Sequence, residues 1–259
     1  MDLRIKGRKA IVCASSQGLG LACATSLARE GCVIFINGRD PSRLDEAVTE
    51  IRVATGAQAA PIVADINTEA GRARLVAACP DADILINNNA GPAPGEFADW
   101  DRAVWLSAVE ANMLVPILLI RALLPGMRDR RFGRIVNITS AMVKSPRAHM
   151  GLSSAARTGL TALCKSLVPQ VAKDNVTINN LLPERVDTGR QRFMAERMMK
   201  MERITYEQAR ARIADTIAAK RFGKPEEFGD ACAFLCSEQA SFISGQNLQL
   251  DGGSYCGLI

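Results

Sequence analysis

The stretch Lys9-Ala-Ile-Val-Cys-Ala-Ser-Ser-Gln-Gly-Leu-Gly-Leu-Ala22 decides the fold of this 259-residue chain. Residues 10–12 are a short apolar run, which is typical of a buried parallel strand. Gly18 and Gly20 follow in a turn of small residues, and apolar side chains then recur at helical spacing. A strand, a tight turn and a helix N-terminus together present backbone N–H groups to an anion such as pyrophosphate. The stretch therefore predicts a dinucleotide site, or else an ordinary strand–helix turn built from small residues.

Composition excludes several classes of protein. Hydrophobic residues make up 48% of the chain and charged residues 23%, as in soluble globular proteins. The net charge is +5, but lysine and arginine are scattered and aromatic residues reach only 5%, so we expect no nucleic-acid partner. No apolar run has the length of a membrane span and the N-terminus does not resemble a signal peptide. We therefore expect a cytoplasmic protein without a membrane partner.

The cysteines indicate free thiols and no metal site. There are eight, and most of them lie within apolar patterns. Cys232 and Cys236 are one helical turn apart, but no second pair of ligands lies nearby in the sequence. Buried thiols in a reducing cytosol are the interpretation that this pattern favours.

Strand and helix patterns alternate along the whole chain. Strands are predicted at residues 10–12, 33–36, 60–64, 84–86, 134–138, 176–179 and 247–250. The longest helices are expected at 101–127 and 151–172. No linker or repeat interrupts them, so we predict one α/β domain over residues 1–259. Its core would be a doubly wound, seven-stranded parallel sheet with helices on both faces.

The end of the second strand predicts which dinucleotide binds. In such folds a carboxylate about 20 residues past the glycines holds the ribose 2′-hydroxyl of NAD, whereas an arginine there pairs with the 2′-phosphate of NADP. Here Gly38 is followed by Arg39. An exposed loop arginine is the alternative, but the missing acid favours NADP over NAD.

An ordered set of motifs resembles the short-chain dehydrogenase/reductase family, in particular its 3-oxoacyl reductases, over nearly the whole chain. The glycine turn falls on residues 13–20 and the Asn-Asn-Ala-Gly motif within residues 87–91. The closing motifs are Arg221–Glu227 and Asp251–Gly253. The resemblance implies a Rossmann fold, an oxidoreductase activity and a substrate lid around residues 184–217. It also implies a set of cofactor contacts: Ser15, Ser16, Gly18, Leu19, Gly20, Arg39, Asp65, Ile66, Asn88, Arg157, Pro183, Val186 and Thr188.

The same resemblance assigns the catalytic positions to Asn112, Ser140, Ser153 and Arg157. The family has tyrosine and lysine where this chain has Ser153 and Arg157, and the flanking pattern keeps the register. Serine is a far weaker acid than tyrosine, whereas arginine stays protonated and can still bind ribose or polarise a carbonyl. Ser140, Ser153 and Arg157 are therefore expected to form an oxyanion-type pocket, with water or another residue as the proton donor.

Other departures concern the turn and the wall of the site. In the glycine turn, Ala14 occupies the position of the family's first glycine, and Cys13 occupies the position of its threonine. Either Asn88 or Asn89 takes the usual asparagine position, with Asn88 favoured by the Gly-Pro that follows. Glu184 replaces a glycine near the nicotinamide end.

Substitute acids are few, because the chain has one histidine and two tyrosines. His149 precedes Ser153 by four residues and has the right intrinsic pKa for a proton shuttle, although a solvated loop histidine is the simpler interpretation. Tyr206 is interpreted as a surface partner of Arg210. Tyr255 lies in the C-terminal tail, which either packs on its own chain or reaches a neighbouring subunit. A Met-rich stretch, residues 193–201, indicates either an adaptable lid for a hydrophobic substrate or a helix packed on the body.

The sequence is compatible with two functions. The first is hydride transfer between NADP(H) and a small-molecule carbonyl or alcohol substrate. The second is cofactor binding without turnover, as a sensor or partner subunit. Apolar residues on more than one face of helices 101–127 and 151–172 predict a homotetramer or homodimer.

Overall fold

A computed structural model describes residues 2–258, which are built around a seven-stranded, all-parallel sheet. The strand order is β3-β2-β1-β4-β5-β6-β7, so β1 and β4 lie side by side at the sheet centre. The bounds are β1 Lys9–Val12, β2 Val33–Gly38, β3 Ala59–Val63, β4 Ile84–Asn87, β5 Gly133–Ile138, β6 Val176–Pro183 and β7 Asn247–Leu250. The predicted doubly wound Rossmann sheet is confirmed. In such sheets ligands bind at the carboxyl ends of the strands where the order reverses, here between β1 and β4.

Helices cover both faces of the sheet. One face carries α1 (Gly18–Arg29), α2 (Pro41–Thr55) and α9 (Pro225–Cys236), whose apolar residues form one core with the sheet. The other face carries α3 (Glu69–Ala78), α5 (Val115–Asp129) and α6 (Gly151–Val171), which form a second core. The remaining helices are α4 (Arg102–Val109), α7 (Gly189–Glu202) and α8 (Tyr206–Asp215).

Local sequence explains where the helices begin. The Asp40 side chain accepts hydrogen bonds from the Ser42 and Arg43 amides, and Pro41 supplies a preset first-turn φ for α2. Thr68 caps α3 in the same way. In contrast, no side chain in the part of the chain that the structure describes accepts a hydrogen bond from the first-turn N–H groups of α1. The helix that faces the predicted phosphate site therefore keeps its donors for a ligand.

The long helical stretch predicted at 101–127 is interrupted. A π-helical turn, Glu110–Leu114, separates α4 from α5 and carries Asn112. Such turns add a residue to the helix and re-aim side chains, often at functional sites. The stretch Arg102–Asp129 is long and apolar enough to span a membrane, contrary to our expectation from the sequence, with a third of its most apolar window buried. In this fold Leu119, Ile120 and Leu123 pack in the second core.

After β6 the chain forms a small helical unit of its own. Strand β6 runs four residues beyond its predicted end, because Pro183 still pairs with Leu250 of β7. The Met-rich stretch is helix α7, which packs on α8 around a minor core of Ala195, Ala209 and Ile213. Met194, Met198 and Met199 border this core, whereas Phe193 and Met201 are exposed.

Candidate active site

The phosphate turn after β1 is held by polar side chains from two neighbouring segments and from the turn itself. Asn37 Oδ1 accepts from the Ala14 amide at 3.3 Å, and Asn88 Nδ2 donates to the Ala14 carbonyl at 3.1 Å. The Ser15 hydroxyl is fully buried and donates to the Val12 carbonyl, so its side chain is used inside the turn. These bonds hold Ala14 at a φ of +44°, in the left-handed region that glycine adopts more easily.

Close packing at the turn requires glycine. A Cβ atom on Gly20 would lie 2.5 Å from the Ala14 carbonyl oxygen, so only glycine fits there. Gly18 has a φ of +61°, and a Cβ atom on it would lie 3.8 Å from Thr188 Cβ. Ser16 and Leu19 are half-buried beside it. The turn and the segment after β6 thus form the two walls of a narrow cleft at the N-terminus of α1, which suits a pyrophosphate.

The end of β2 has no room for an acid next to this cleft. Gly38 is buried, and a Cβ atom on it would lie 3.3–3.4 Å from Leu44 and Ser16. Arg39 is exposed, and within residues 2–258 no carboxylate forms an ion pair with it. A cation therefore stands at the position where a nucleotide 2′-substituent is expected.

The adenine side is lined by the segment after β3. Asp65 Oδ1 accepts two hydrogen bonds from Asn67, one from the amide and one from the side chain, each at 3.0 Å. Asn67 in turn accepts from Asn89 Nδ2 at 2.8 Å, whereas Asn88 contacts the phosphate turn. Ile66 is buried behind them. The two asparagines that the sequence left undecided thus point to different segments, and Asn88 is the one at the turn.

At the other end of the cleft, four residues come together from three elements. Ser140 follows β5, Asn112 lies in the π-helical turn, and Ser153 and Arg157 are one turn apart on α6. Arg157 donates from Nε and Nη2 to Asn112 Oδ1 at 3.2 and 2.9 Å, and from Nη1 to the Thr139 carbonyl. The sequence predicts these four positions as one group; it does not show that Asn112 would hold the arginine.

The charge of Arg157 is enclosed. Burial, together with the nearby Arg190, lowers the pKa of Arg157 to about 10, so the side chain is still a cation at neutral pH. Arginine has five N–H groups, and these bonds leave an N–H of Nη2 unused. A Cβ atom on Gly91 would lie 3.2 Å from that nitrogen. Arg157 can therefore stabilise negative charge on its Gly91 side, but it cannot readily deliver a proton.

The two serines differ in what engages their hydroxyls. Ser140 Oγ accepts from the Met142 amide at 3.2 Å, which leaves its proton free to donate. Ser153 is 3% exposed, and no hydrogen bond within residues 2–258 engages its hydroxyl. Both can donate to a substrate oxygen, which is the arrangement that an oxyanion pocket needs.

None of the three substitute acids has a demonstrated place in this pocket. His149 is exposed, and its carbonyl accepts from the Gly95 amide. Tyr206 stacks under Arg210, which forms a two-fold ion pair with Asp187, so the surface interpretation is the one that fits. The Tyr255 ring lies 5.3 Å from Lys144 Nζ, so the tail packs on its own chain beside the loop after Ser140.

The segment after β6 contains an ion pair between Glu184 and Arg147, of which the sequence analysis singled out only Glu184. Glu184, which stands near Pro183, is 13% exposed and accepts from Arg147 Nη2 at 2.7 Å. Val186 is buried and forms an isolated bridge with Gly223. The carboxylate of Glu184, which stands where the family has glycine, is therefore paired with a cation and is not a free charge in the site.

A row of asparagines behind the site was missed by sequence reasoning. Asn87, Asn137, Asn180 and Asn247 occupy paired positions on β4 to β7, and each amide donates to the next at 2.8–2.9 Å. The Asn87 Oδ1 atom at the end of the row is buried without a partner. It borders a cavity of about 20 Å³ shared with Asn112 and Arg157, which is large enough for one water. The register of the four strands was the signal that could have revealed it.

The two C-terminal motifs, Arg221–Glu227 and Asp251–Gly253, make contacts that stabilise the fold. Arg221 and Glu227 form a two-fold ion pair at the start of α9, where the Lys224 amide also donates to Glu227. These contacts lower the pKa of Glu227 to about 2. Asp251 accepts from the amides of Gly253 and Tyr255 and so folds the tail.

Comparison with known proteins agrees with this geometry. A family model described as enoyl-(acyl carrier protein) reductase matches residues 13–255. The chain is 34% identical to the NADPH-dependent reductase BacG of Bacillus subtilis over 95% of its own length and 97% of that protein. It is 32% identical to the uncharacterized oxidoreductase YvaG of the same organism over 98% of both chains.

A solved structure extends the likeness to three dimensions. The L-sorbose reductase of Gluconobacter frateurii, in complex with NADPH and L-sorbose, superposes with a TM-score of 0.94. The two chains are 29% identical, and the alignment covers 100% of both.

Proposed function

Because the chain belongs to the short-chain dehydrogenase/reductase family and is an oxidoreductase of that family, we propose that it transfers a hydride between NADP(H) and a carbonyl or alcohol substrate. The observation that carries the proposal is the arrangement at the carboxyl ends of three adjacent strands, β1, β4 and β5. The glycine turn follows β1, Asn88 after β4 donates to that turn, and Arg157 donates to the Thr139 carbonyl after β5. The NADPH-bound sorbose reductase and the NADPH-dependent BacG support the cofactor.

The chain's own residues fit the cofactor. Gly20 lets α1 begin in close contact with the Ala14–Ser15 backbone, and the uncapped first turn of α1 offers N–H donors to the phosphates. Arg39 would pair with the 2′-phosphate, and Thr188 faces the same cleft from the opposite wall. The choice of NADP over NAD follows from the missing acid at Gly38.

At the reacting end, the residues stabilise charge instead of supplying an acid. The nicotinamide provides or accepts the hydride when bound. The hydroxyls of Ser140 and Ser153 donate to the substrate oxygen, and Arg157 lowers the energy of the negative charge that develops there. The proton that this oxygen gains comes from water or another residue, because serine is a poor acid and the guanidinium group of Arg157 is held by Asn112 and Thr139. Ketone, NADPH and a proton thus give alcohol and NADP⁺.

A panel measurement tests this function. NADPH consumption is followed by stopped-flow absorbance with ketones, acyl thioesters and quinones, and NADPH affinity is measured separately by fluorescence. We expect turnover of at least one carbonyl class. Tight NADPH binding with no turnover across the panel would favour the second function, cofactor binding without chemistry. One observation points that way, because Arg157 is already engaged by Asn112 and Thr139.

We further propose a homotetramer or homodimer, one domain with α7 and α8 as the lid, and a cytoplasmic location. The support for assembly is a groove of about 540 Å³ between α5 and α6, bordered by Ile117, Leu124, Leu163 and Leu167. Leu106 and Leu114 are also exposed, at 50% and 37%. Light scattering at micromolar concentration should give two or four times the chain mass, and a monomer mass would refute the assembly.

A further inference from the structure

Two arginines from different elements converge on one short segment after β4. Arg157 Nη2 faces Gly91, where a Cβ atom would lie only 3.2 Å away. Arg190, in the first turn of α7, donates from Nη2 to the carbonyl of the next residue, Pro92, at 3.1 Å. The two guanidinium groups therefore meet across the Gly91–Pro92 peptide, one from the floor of the cleft and one from the lid.

No acid neutralises this pair. Within residues 2–258, neither Arg157 nor Arg190 forms an ion pair, whereas Arg147 and Arg210 are matched by Glu184 and Asp187. Burial lowers the pKa of Arg190 and that of Arg157, and the proximity of Arg190 lowers the pKa of Arg157 further. Arg190 is exposed, so an anion from solvent can reach it, and two neighbouring cations with no acid beside them favour the binding of an anion.

The pair lies at the reacting end of the cleft. Arg157 is bonded to Asn112 and is one turn from Ser153. The phosphate turn is marked instead by Gly18 and Thr188. Although Arg190 is only two residues beyond Thr188, its hydrogen bond runs to Pro92 and not to the phosphate turn. An anion between the two arginines would thus adjoin the reacting carbon and not the pyrophosphate.

We propose that the substrate is an oxo acid whose carboxylate contacts both Arg157 and Arg190 beside the Gly91–Pro92 peptide, with its ketone at Ser140 and Ser153. This proposal rests on the proposed function, because it names the substrate class of the same site. Charge-assisted hydrogen bonds from a guanidinium to a carboxylate are about twice as strong as neutral ones. Since Ser153 and Arg157 are one helical turn apart, the ketone and the carboxylate are separated by few carbons.

The test compares two five-carbon ketones, one ending in a carboxylate and the other in an uncharged hydroxymethyl group. Binding of 4-oxopentanoate and of 5-hydroxypentan-2-one to the NADP⁺-loaded protein is measured by calorimetry, which requires no turnover. The oxo acid should bind at least ten times more tightly than the neutral ketone. Arg190→Gln should reduce this preference to less than threefold and leave the NADP⁺ dissociation constant unchanged, and Arg190→Lys should restore part of it. Lys200→Gln removes an exposed cation from the same helix and should change nothing.

Each other outcome is decisive. Equal affinity for the two probes, or no binding of either, would overturn the proposal. Weaker NADP⁺ binding by Arg190→Gln with an unchanged preference would assign the arginine to the cofactor and would also overturn it. Absence of turnover with a preserved preference would defeat the proposed function alone, and the titrations repeated without NADP⁺ keep the two results separate.

Discussion

The two ends of the cleft both depart from the family pattern, but in different ways. At the phosphate turn, Ala14 replaces a glycine and keeps its left-handed φ, because Asn37 and Asn88 bind its amide and carbonyl. At the reacting end, Ser153 and Arg157 replace a tyrosine and a lysine. The turn works through backbone geometry, which a small residue can reproduce at a modest energetic cost. The reacting end works through the acidity of side chains, which serine cannot reproduce.

The largest expected effect comes from filling the turn. Gly20→Val should weaken NADPH binding by at least about 100-fold, equivalent to ~2.8 kcal/mol, because its Cβ would collide with the Ala14 carbonyl. Fluorescence titration at equal folded fraction, checked by circular dichroism, measures it. Gly189→Ala is the matched control, since a Cβ atom there meets nothing within 4 Å. Undiminished binding by Gly20→Val would show that the turn does not hold the phosphates.

A smaller effect is expected at the ribose. Wild-type protein should bind NADPH about tenfold more tightly than NADH, which corresponds to ~1.4 kcal/mol. Arg39→Ala should erase this difference by removing the cation opposite the 2′-phosphate. Arg52→Ala, near the far end of α2, should preserve it. Equal dissociation constants for the two nucleotides in the wild type would sink the assignment.

The smallest effect concerns strain in the turn. Ala14→Gly should raise the free energy of unfolding by about 1 kcal/mol, because a non-glycine residue is strained at positive φ. NADPH affinity should change by less than about threefold, since the backbone path is unchanged. Urea denaturation provides the measurement. Alanine-to-glycine changes usually destabilise a protein. If this variant is also less stable than the wild type, the positive φ of Ala14 does not strain the turn.

The sequence predicted the scaffold because the relevant signals are local. Residues 10–20 carry a strand, a turn and a helix start in succession, and strands and helices alternate afterwards. The grouping of Asn112, Ser140, Ser153 and Arg157 stays a prediction from the order of the family motifs. Their contacts did not follow from the sequence, because Asn112 meets Arg157 across 45 residues and Asn37 meets the turn across 23.

The sequence also did not predict contacts between loops that are far apart along the chain. Arg190 reaches Pro92 over 98 residues, and no pattern near either residue predicts the contact. The π-helical turn was missed as well, although it sets the direction of Asn112. Helical periodicity detects an apolar face, but it does not register one inserted residue in a long helix.

The two ends of the cleft differ most at Arg157. NADPH consumption is measured for the wild type, Arg157→Ala and the double variant Ser153→Tyr/Arg157→Lys against one panel of carbonyl substrates. We predict that the wild type turns over at least one substrate. Arg157→Ala should lose about 100-fold or more in rate and also bind NADPH less tightly, because it removes the cation and leaves Asn112 Oδ1 without its donor. A silent wild type beside an active double variant would contradict the account and leave a cofactor-binding protein in its place.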